Sequence, residues 1–342
     1  MTDWASTQAS RRKLIALFAI VVLHLCIAPR LLAALTVAEM AAEVGLTPEA
    51  LAQVEQGEIV DTTPTDRSDR ELSIGMVFLV RAPLEQAVQA FEHGSDLKAD
   101  PHVTILHEVS GAGRLADFEA LRLTPHGNAE AQRYLDAAPG QTLNLSTAEI
   151  AAFRALGAAQ QQDVEAQFRE ILLARYRAYR AQGVDGIAPY DRGDGGQRSP
   201  AEELRRHSAA KILGKYSPAF RDVLVHYPAA RPAGLEERFY WQVYNLDDRP
   251  NLTLRHRMAL PMDNGFVVAD REFYVSQGYN AEQAHAAFLS DKDGTMVFYV
   301  TGTSTDRVSG FGTSAKHAIG RRMMTREIQA TFNRMRAAFG AH

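Results

Sequence analysis

Over the last hundred residues the hydrophobic and polar positions first alternate with a period of two and then change to about 3.6, the signature of strands followed by a helix. In TLRHRMAL, Leu252, Leu254, His256, Met258 and Leu260 share one side of an extended chain, while Thr253, Arg255 and Arg257 share the other. The first side is expected against a core and the second in water. ERFYWQVYNL (237–246) reads as the strand before it and FVVADREFYVSQ as the strand after it. AEQAHAAFLSDKDGTMVFYVTG reads as two strands around a turn at Asp293-Gly294. No helical pattern separates these runs, so they form an antiparallel meander. From Ser314 onward Ile319, Met323, Ile328, Phe332, Met335 and Phe339 recur at helical spacing among Lys316, Arg321, Arg322, Arg326, Arg334 and Arg336. That amphipathic helix has an apolar stripe to bury, and the sheet is the nearest apolar surface.

Nearer the start, TVAEMAAEVG and TPEALAQVEQG are short helical patterns, the second with Thr47 as N-cap, Pro48 in its first turn and Gly57 after its last. They have the outline of a DNA-binding helix-turn-helix, but the second helix carries no Lys or Arg, which excludes a recognition helix. A polar segment leads to an apolar strand, Leu72 to Val80. Ala82-Pro83 breaks it, and Leu84, Val88 and Phe91 mark a helical face.

A strand ending in Ala-Pro, an amphipathic helix, an antiparallel sheet and a C-terminal helix, in that order, resemble the START-related helix-grip superfamily of lipid-transfer and polyketide cyclase-like proteins. The prelude LTPEALAQVEQGEIV and the arginine-containing strand ADREFYV (269–275) are similar to segments of exported bacterial members. The resemblance covers residues 46–92 and 236–340. It implies an α+β fold in which a curved antiparallel sheet wraps a long C-terminal helix around an apolar cavity.

The chain departs from that pattern between the two segments. Val103 to Glu119 reads as one strand or two, with Gly111 and Gly113 at a turn. From Ser146, which forms a capping box with Glu149, an apolar stripe runs to Tyr179 and ends at Gly183, as one bent helix or two separated near Gly157. A Gly- and Asp-rich loop follows, and Ser199-Pro200 and Ser217-Pro218 each announce a further helix. The expected organisation is a helical extension at 35–60 and a START-like domain at 61–342. A helical insertion at about 146–228 would pack on the sheet or over the cavity mouth.

Residues 1–34 read as an export signal. RRK at 11–13 precedes an uncharged run from Leu14 to Ala28, too short for a membrane span, with small residues and cleavage expected between Ala34 and Ala38. A periplasmic or secreted protein is expected, with an uncleaved membrane anchor as the alternative. The single cysteine, Cys26, lies in that run after Leu25, which argues against lipid modification and leaves the mature chain without disulfide or thiol. Of 342 residues 46% are hydrophobic and 23% charged, enough for a sizeable core. The formal charge of −4 becomes −7 from Leu35 onward, with 33 basic and 40 acidic residues, which disfavours nucleic acid as a partner.

No metal or catalytic signature stands out. The eleven histidines form no His-Glu-x-x-His, and no Gly-x-Ser-x-Gly elbow is present. Asp185, Asp191 and Asp194 read as solvated turn residues before they read as calcium ligands, and neither metal nor cofactor is expected. GFGTSAKHAIGRR offers weak anion binding at Thr313 and Lys316, where a loop opens a helix. His256 on the apolar side of its strand is a satisfied core residue, a polar anchor in a cavity, or an acid–base group. Arg271 needs a carboxylate or a ligand if it points inward. Trp241 and Tyr299 are core or cavity aromatics.

Taken with the resemblance, these residues suggest a non-catalytic binder or carrier of an apolar small molecule or lipid, compatible with transient membrane contact. Trp241, His256, Met258, Arg271, Phe273, Tyr299 and Phe332 would line its cavity. The alternatives are a cyclase-like enzyme using a cavity His or Tyr as acid–base, and a structural or interaction protein whose cavity is filled.

Overall fold

The computed structural model describes residues 35–310 and 312–339; the segment read as an export signal, with Cys26, lies outside them. Where the sequence alternates, the chain forms five long strands: β6 (Glu236–Leu246), β7 (Arg249–Met262), β8 (Gly265–Val275), β9 (Ala281–Asp291) and β10 (Gly294–Ser304). Three earlier strands, β1 (Val60–Thr62), β2 (Glu71–Val80) and β3 (Val103–Val109), complete one antiparallel sheet in the order β1-β2-β10-β9-β8-β7-β6-β3. The turn between β9 and β10 needs its glycine. Gly294 has φ +143°, and a Cβ there would lie 2.3 Å from the Val80 carbonyl oxygen.

Among the described residues ten α-helices precede the last one. The extension supplies α1 (Val37–Glu43) and α2 (Pro48–Glu55), with Thr47 accepting from the Ala50 amide at 3.2 Å as cap. After β2 come α3 (Leu84–Glu92) and α4 (Ser95–Ala99). The long intervening segment holds α5 (Gly127–Leu135), α6 (Thr147–Ala155) and α7 (Gln161–Gln182), so the stripe from Ser146 is two helices with Gly157, at φ +62°, between them. A small hairpin, β4 (Tyr190–Gly193) and β5 (Gly196–Arg198), occupies the Gly- and Asp-rich loop. Then come α8 (Pro200–Ser208), α9 (Lys211–Tyr216) and α10 (Pro218–His226). Helix α11 (Thr313–Phe339) closes the chain. The whole is a mixed α+β fold.

Both faces of the sheet are covered. One face meets α3, α4 and α11: Ile74, Met76, Phe78, Val268, Ala286 and Phe288 pack there with Phe332 and Met335. The opposite face is buried under α1 and α2 near β2 and β10, under α9 and α10 near β7 and β8, and under α5–α7 near β3, β6 and β7. The helical insertion therefore packs on the face away from α11. The expectation that Thr253, Arg255 and Arg257 face water is corrected accordingly: Thr253 and Arg257 are 0% and 1% exposed, because α3, α4 and α11 close over that side. Among the described residues no helix is long and apolar enough to cross a membrane.

Candidate ligand-binding cleft

Between α11 and the sheet lies a cleft of about 550 Å³, within the range of small-molecule sites. Its helix wall is mainly apolar, presenting Ile319, Met323, Met324, Ile328 and Phe332, with Lys316 and Glu327 between them. Ile319 and Met323 are 62% and 58% exposed and form the lip. The sheet supplies a polar floor, and strand register explains why. Arg255 of β7 stands opposite Glu272 of β8, which stands opposite Glu282 of β9, which stands opposite Thr303 of β10. Residues opposite one another share a face of the sheet, so a line of charge crosses three strands and ends at a hydroxyl on the fourth.

That floor is a chain of ion pairs with one carboxylate left over. Arg255 donates to Asp270 Oδ2 at 2.6 Å and to Glu272 Oε1. Arg257 donates through Nε to Asp270 at 2.9 Å and through both terminal nitrogens to Asp96 at 2.7 Å. Its guanidinium also lies 4.4 Å from the centre of the Phe91 ring. Tyr279 donates to Glu272 Oε2 at 2.6 Å. Among the described residues Glu282 accepts only from the Thr303 hydroxyl, at 2.5 Å, and has no ion pair. Burial, followed by the charge of Glu272, pushes the Glu282 carboxyl up to about 7, against an ordinary value of 4.5. Burial raises Glu272 as well, although Arg255 opposes it. Asp270 goes the other way: burial pushes it up, but Arg255 and Arg257 together hold it below the usual range. Among the described residues Asp270 Oδ1, Arg255 Nε and Gln242 Oε1 have no hydrogen-bond partner, and all three residues line the cleft.

Two of the residues expected at a ligand line this cleft. Tyr299 and Phe332 do so together, their rings 4.9 Å apart. His256, Arg271 and Phe273 are brought together on the opposite face, beneath the insertion. Arg271 donates to Gln283 Oε1 at 2.6 Å, the Leu224 carbonyl at 2.7 Å, Ser208 Oγ at 3.1 Å and the Tyr179 hydroxyl oxygen at 3.2 Å. That leaves the Tyr179 proton for His256 Nδ1, 2.9 Å away, and assigns the imidazole proton to Nε2, which faces Glu237 at 3.8 Å. Phe273 stacks on Tyr179 with ring centres 4.0 Å apart. His256 and Arg271 are both fully buried, and burial lowers His256 to about 4, so it is neutral. The partner Arg271 requires is thus a set of neutral acceptors. Trp241 is core beside Phe118 and donates to the Asp117 carbonyl at 2.8 Å, while Met258 packs with Leu213 and Phe220.

Of the weak anion site, Thr313 begins α11 and Lys316 Nζ donates to the Ser309 carbonyl at 3.1 Å on the cleft rim. Asp185 pairs with Arg205, and Asp191 accepts from Thr147 at 2.6 Å. Among the described residues no group of three ligands suits a metal ion. Sequence reasoning missed Arg255, Asp270, Glu272 and Glu282. The available signal was opposite charge at alternate positions of adjacent strands. A second hollow, about 310 Å³, lies between α1, residues 62–67 and α9–α10, and is walled mainly by apolar side chains such as Met40, Ile212, Met262 and Phe298. It lacks the line of paired charge that the larger cleft carries. The chain matches no family model, no curated protein and no solved structure.

Proposed function

We propose that this protein binds or carries a small amphiphilic molecule in the cleft between sheet and α11, as a helix-grip protein of the START-like kind would. The observation that carries the reading is the two-sided lining: a methionine- and isoleucine-rich helix wall over a floor of ionised side chains. Burying an alkyl or ring surface on that wall contributes ~25 cal/mol per Å², and the floor fixes one polar end. Methionines suit such a wall because they adapt to ligands of varied shape. The insertion is on the other face of the sheet, where it stiffens the support.

The test is uptake of the neutral fluorophore N-phenyl-1-naphthylamine, with native mass spectrometry of the purified full chain for any co-purifying molecule. Met324→Trp, which adds bulk to the helix wall, should abolish uptake and leave the melting temperature within a few degrees of wild type. Absence of uptake by wild type, or equal uptake by the variant, would refute the reading. Acid–base catalysis on a bound molecule is a second reading, favoured by one observation. A carboxyl pushed up to about 7 inside a cleft suits proton transfer near neutral pH. His256, sealed beneath the insertion, gives that reading no support.

A further inference from the structure

We infer that the ligand's polar head is a cation rich in N–H donors, an ammonium, amidine or guanidinium group, and that Glu282 is its counter-ion. This deepens the cleft-binding reading and rests on it. The sign of the head follows from charge already in place. Six carboxylates line the cleft (Asp96, Asp100, Asp270, Glu272, Glu282 and Glu327) against three cations (Arg255, Arg307 and Lys316). Those cations are engaged: Arg255 by Asp270 and Glu272, Arg307 by Asp247 at 2.8 Å, and Lys316 by the Ser309 carbonyl. Arg257, behind the floor, is held by Asp96 and Asp270. Among the described residues an anionic head would find no unpaired cation on the floor, where it would meet Glu282; only Lys316, at the rim and bonded to a neutral carbonyl, keeps donors to spare. A cationic head finds a carboxylate that lacks an ion pair.

The hydrogen-bonding capacity left over points the same way. Asp270 is 6% exposed and has an acceptor oxygen, Oδ1, without a partner. Gln242 is 3% exposed, and its Oε1 likewise has none. Among the fully buried polar atoms of Arg255, Asp270 and Gln242, the unpartnered ones are two acceptors and one donor, Arg255 Nε. Asp270 faces Ala284, two residues along β9 from Glu282. Diagonal neighbours of that kind lie about 7–8 Å apart, a span that a head with two or more N–H groups can bridge. Glu272 and Glu282 stand directly opposite each other on adjacent strands. Like charges so placed are destabilising, and a cation between them removes that repulsion.

The experiment compares decylamine, decanol and decanoate as displacers of N-phenyl-1-naphthylamine from the full chain, below their aggregation limits. All three share one tail, so the order reports the head. Decylamine is expected to displace the probe at about tenfold lower concentration than decanol, the size of a charge-assisted hydrogen bond, with decanoate weakest. In Glu282→Gln the amine should fall to the level of decanol, each displacer being read against the probe affinity measured for that variant. Decylamine no better than decanol, or a preference that survives in Glu282→Gln, would overturn the inference while leaving the cleft reading intact. Failure of wild type to take up the probe would overturn both. If Glu282→Gln does not fold, the order of the three displacers on wild type decides.

Discussion

Replacing Glu282 by Gln should stabilise the empty protein above neutral pH, and the size of the gain can be worked from the structure. Glu282 has an ordinary carboxyl value of 4.5 in the unfolded chain and about 7 in the fold, because it is buried beside Glu272 without a cation of its own. A folded value raised above the unfolded one means that the fold holds the proton more tightly. This group's contribution is therefore full below 4.5 and is lost as pH rises through about 7. Each unit is worth about 1.4 kcal/mol, so the ceiling of the loss is about 3 kcal/mol, and partial exposure reduces it to about 1–3 kcal/mol. Glutamine keeps the shape and an acceptor for Thr303 but cannot ionise. Urea unfolding of the two proteins at pH 5 and pH 8 measures the difference. It should be near zero at the first and should favour Glu282→Gln at the second. A difference equal at both pH values, or a variant less stable at pH 8, would refute the argument. A carboxylate that weakens the empty fold yet occupies a cleft is the stability cost expected of a functional group.

Two further predictions concern the opposite face. Arg271→Met leaves the Leu224 carbonyl and Gln283 Oε1 without their donor; at about 1–3 kcal/mol for each orphaned buried acceptor it should cost about 2–6 kcal/mol in urea unfolding, with no change in probe affinity of the folded protein. Burial lowers His256 and His207 to about 4, and burial together with the charge of His207 takes His285 well below 6.5. Depressed histidines contribute stability that is complete above 6.5 and lost as pH falls toward their folded values. Near-ultraviolet circular dichroism should therefore collapse in acid, and His285→Gln should move the midpoint to lower pH.

The period of two was legible in the sequence because it follows from strand geometry, and it placed His256 and Arg255 correctly on opposite sides of β7. Which side meets water was not legible, because the period is silent on what lies over each face. Here α11, α3 and α4 cover the charged side as fully as the insertion covers the apolar one. Charged residues on that face therefore read as solvent-exposed when they are a cleft floor held by mutual pairing. The irregularity between Leu254 and Arg255 was also hidden: it turns Phe273 and Tyr274 toward the same side. Helices with side-chain caps, at Thr47, Ser146 and Ser199, were visible. Helix α5 starts after His126 at φ +66° with no capping side chain, and nothing local announced it. Tyr299, which the sequence left as core or cavity, and Phe332 stand together on the cleft because β10 and α11 bring their rings to 4.9 Å.

The arrangement of α11 completes the argument for a cleft that opens without unfolding. Near its first turns, His317 bonds Asp66 at 3.0 Å and Arg321 joins the same carboxylate. Near its end, Phe332 sits on Phe78 with ring centres 4.5 Å apart, and Arg336 donates to the Gly57 carbonyl at 3.0 Å. Between those anchors Met323, Met324 and Glu327 span the floor, and the exposed Ile319 and Met323 form the lip. A helix fastened at both ends forms a bridge, and rotamer changes of unbranched methionines on it are fast and low in cost. The floor below has unsatisfied acceptors at Asp270 and Gln242; on the far face Arg271 makes four hydrogen bonds, although among the described residues His256 Nε2 and the Tyr227 hydroxyl have no hydrogen-bond partner. Satisfied groups rigidify a fold, and orphaned ones raise its free energy until a partner arrives. Arg271 and the floor carboxylates stand on the same strands, so the packed insertion holds in register the carboxylates that await a partner.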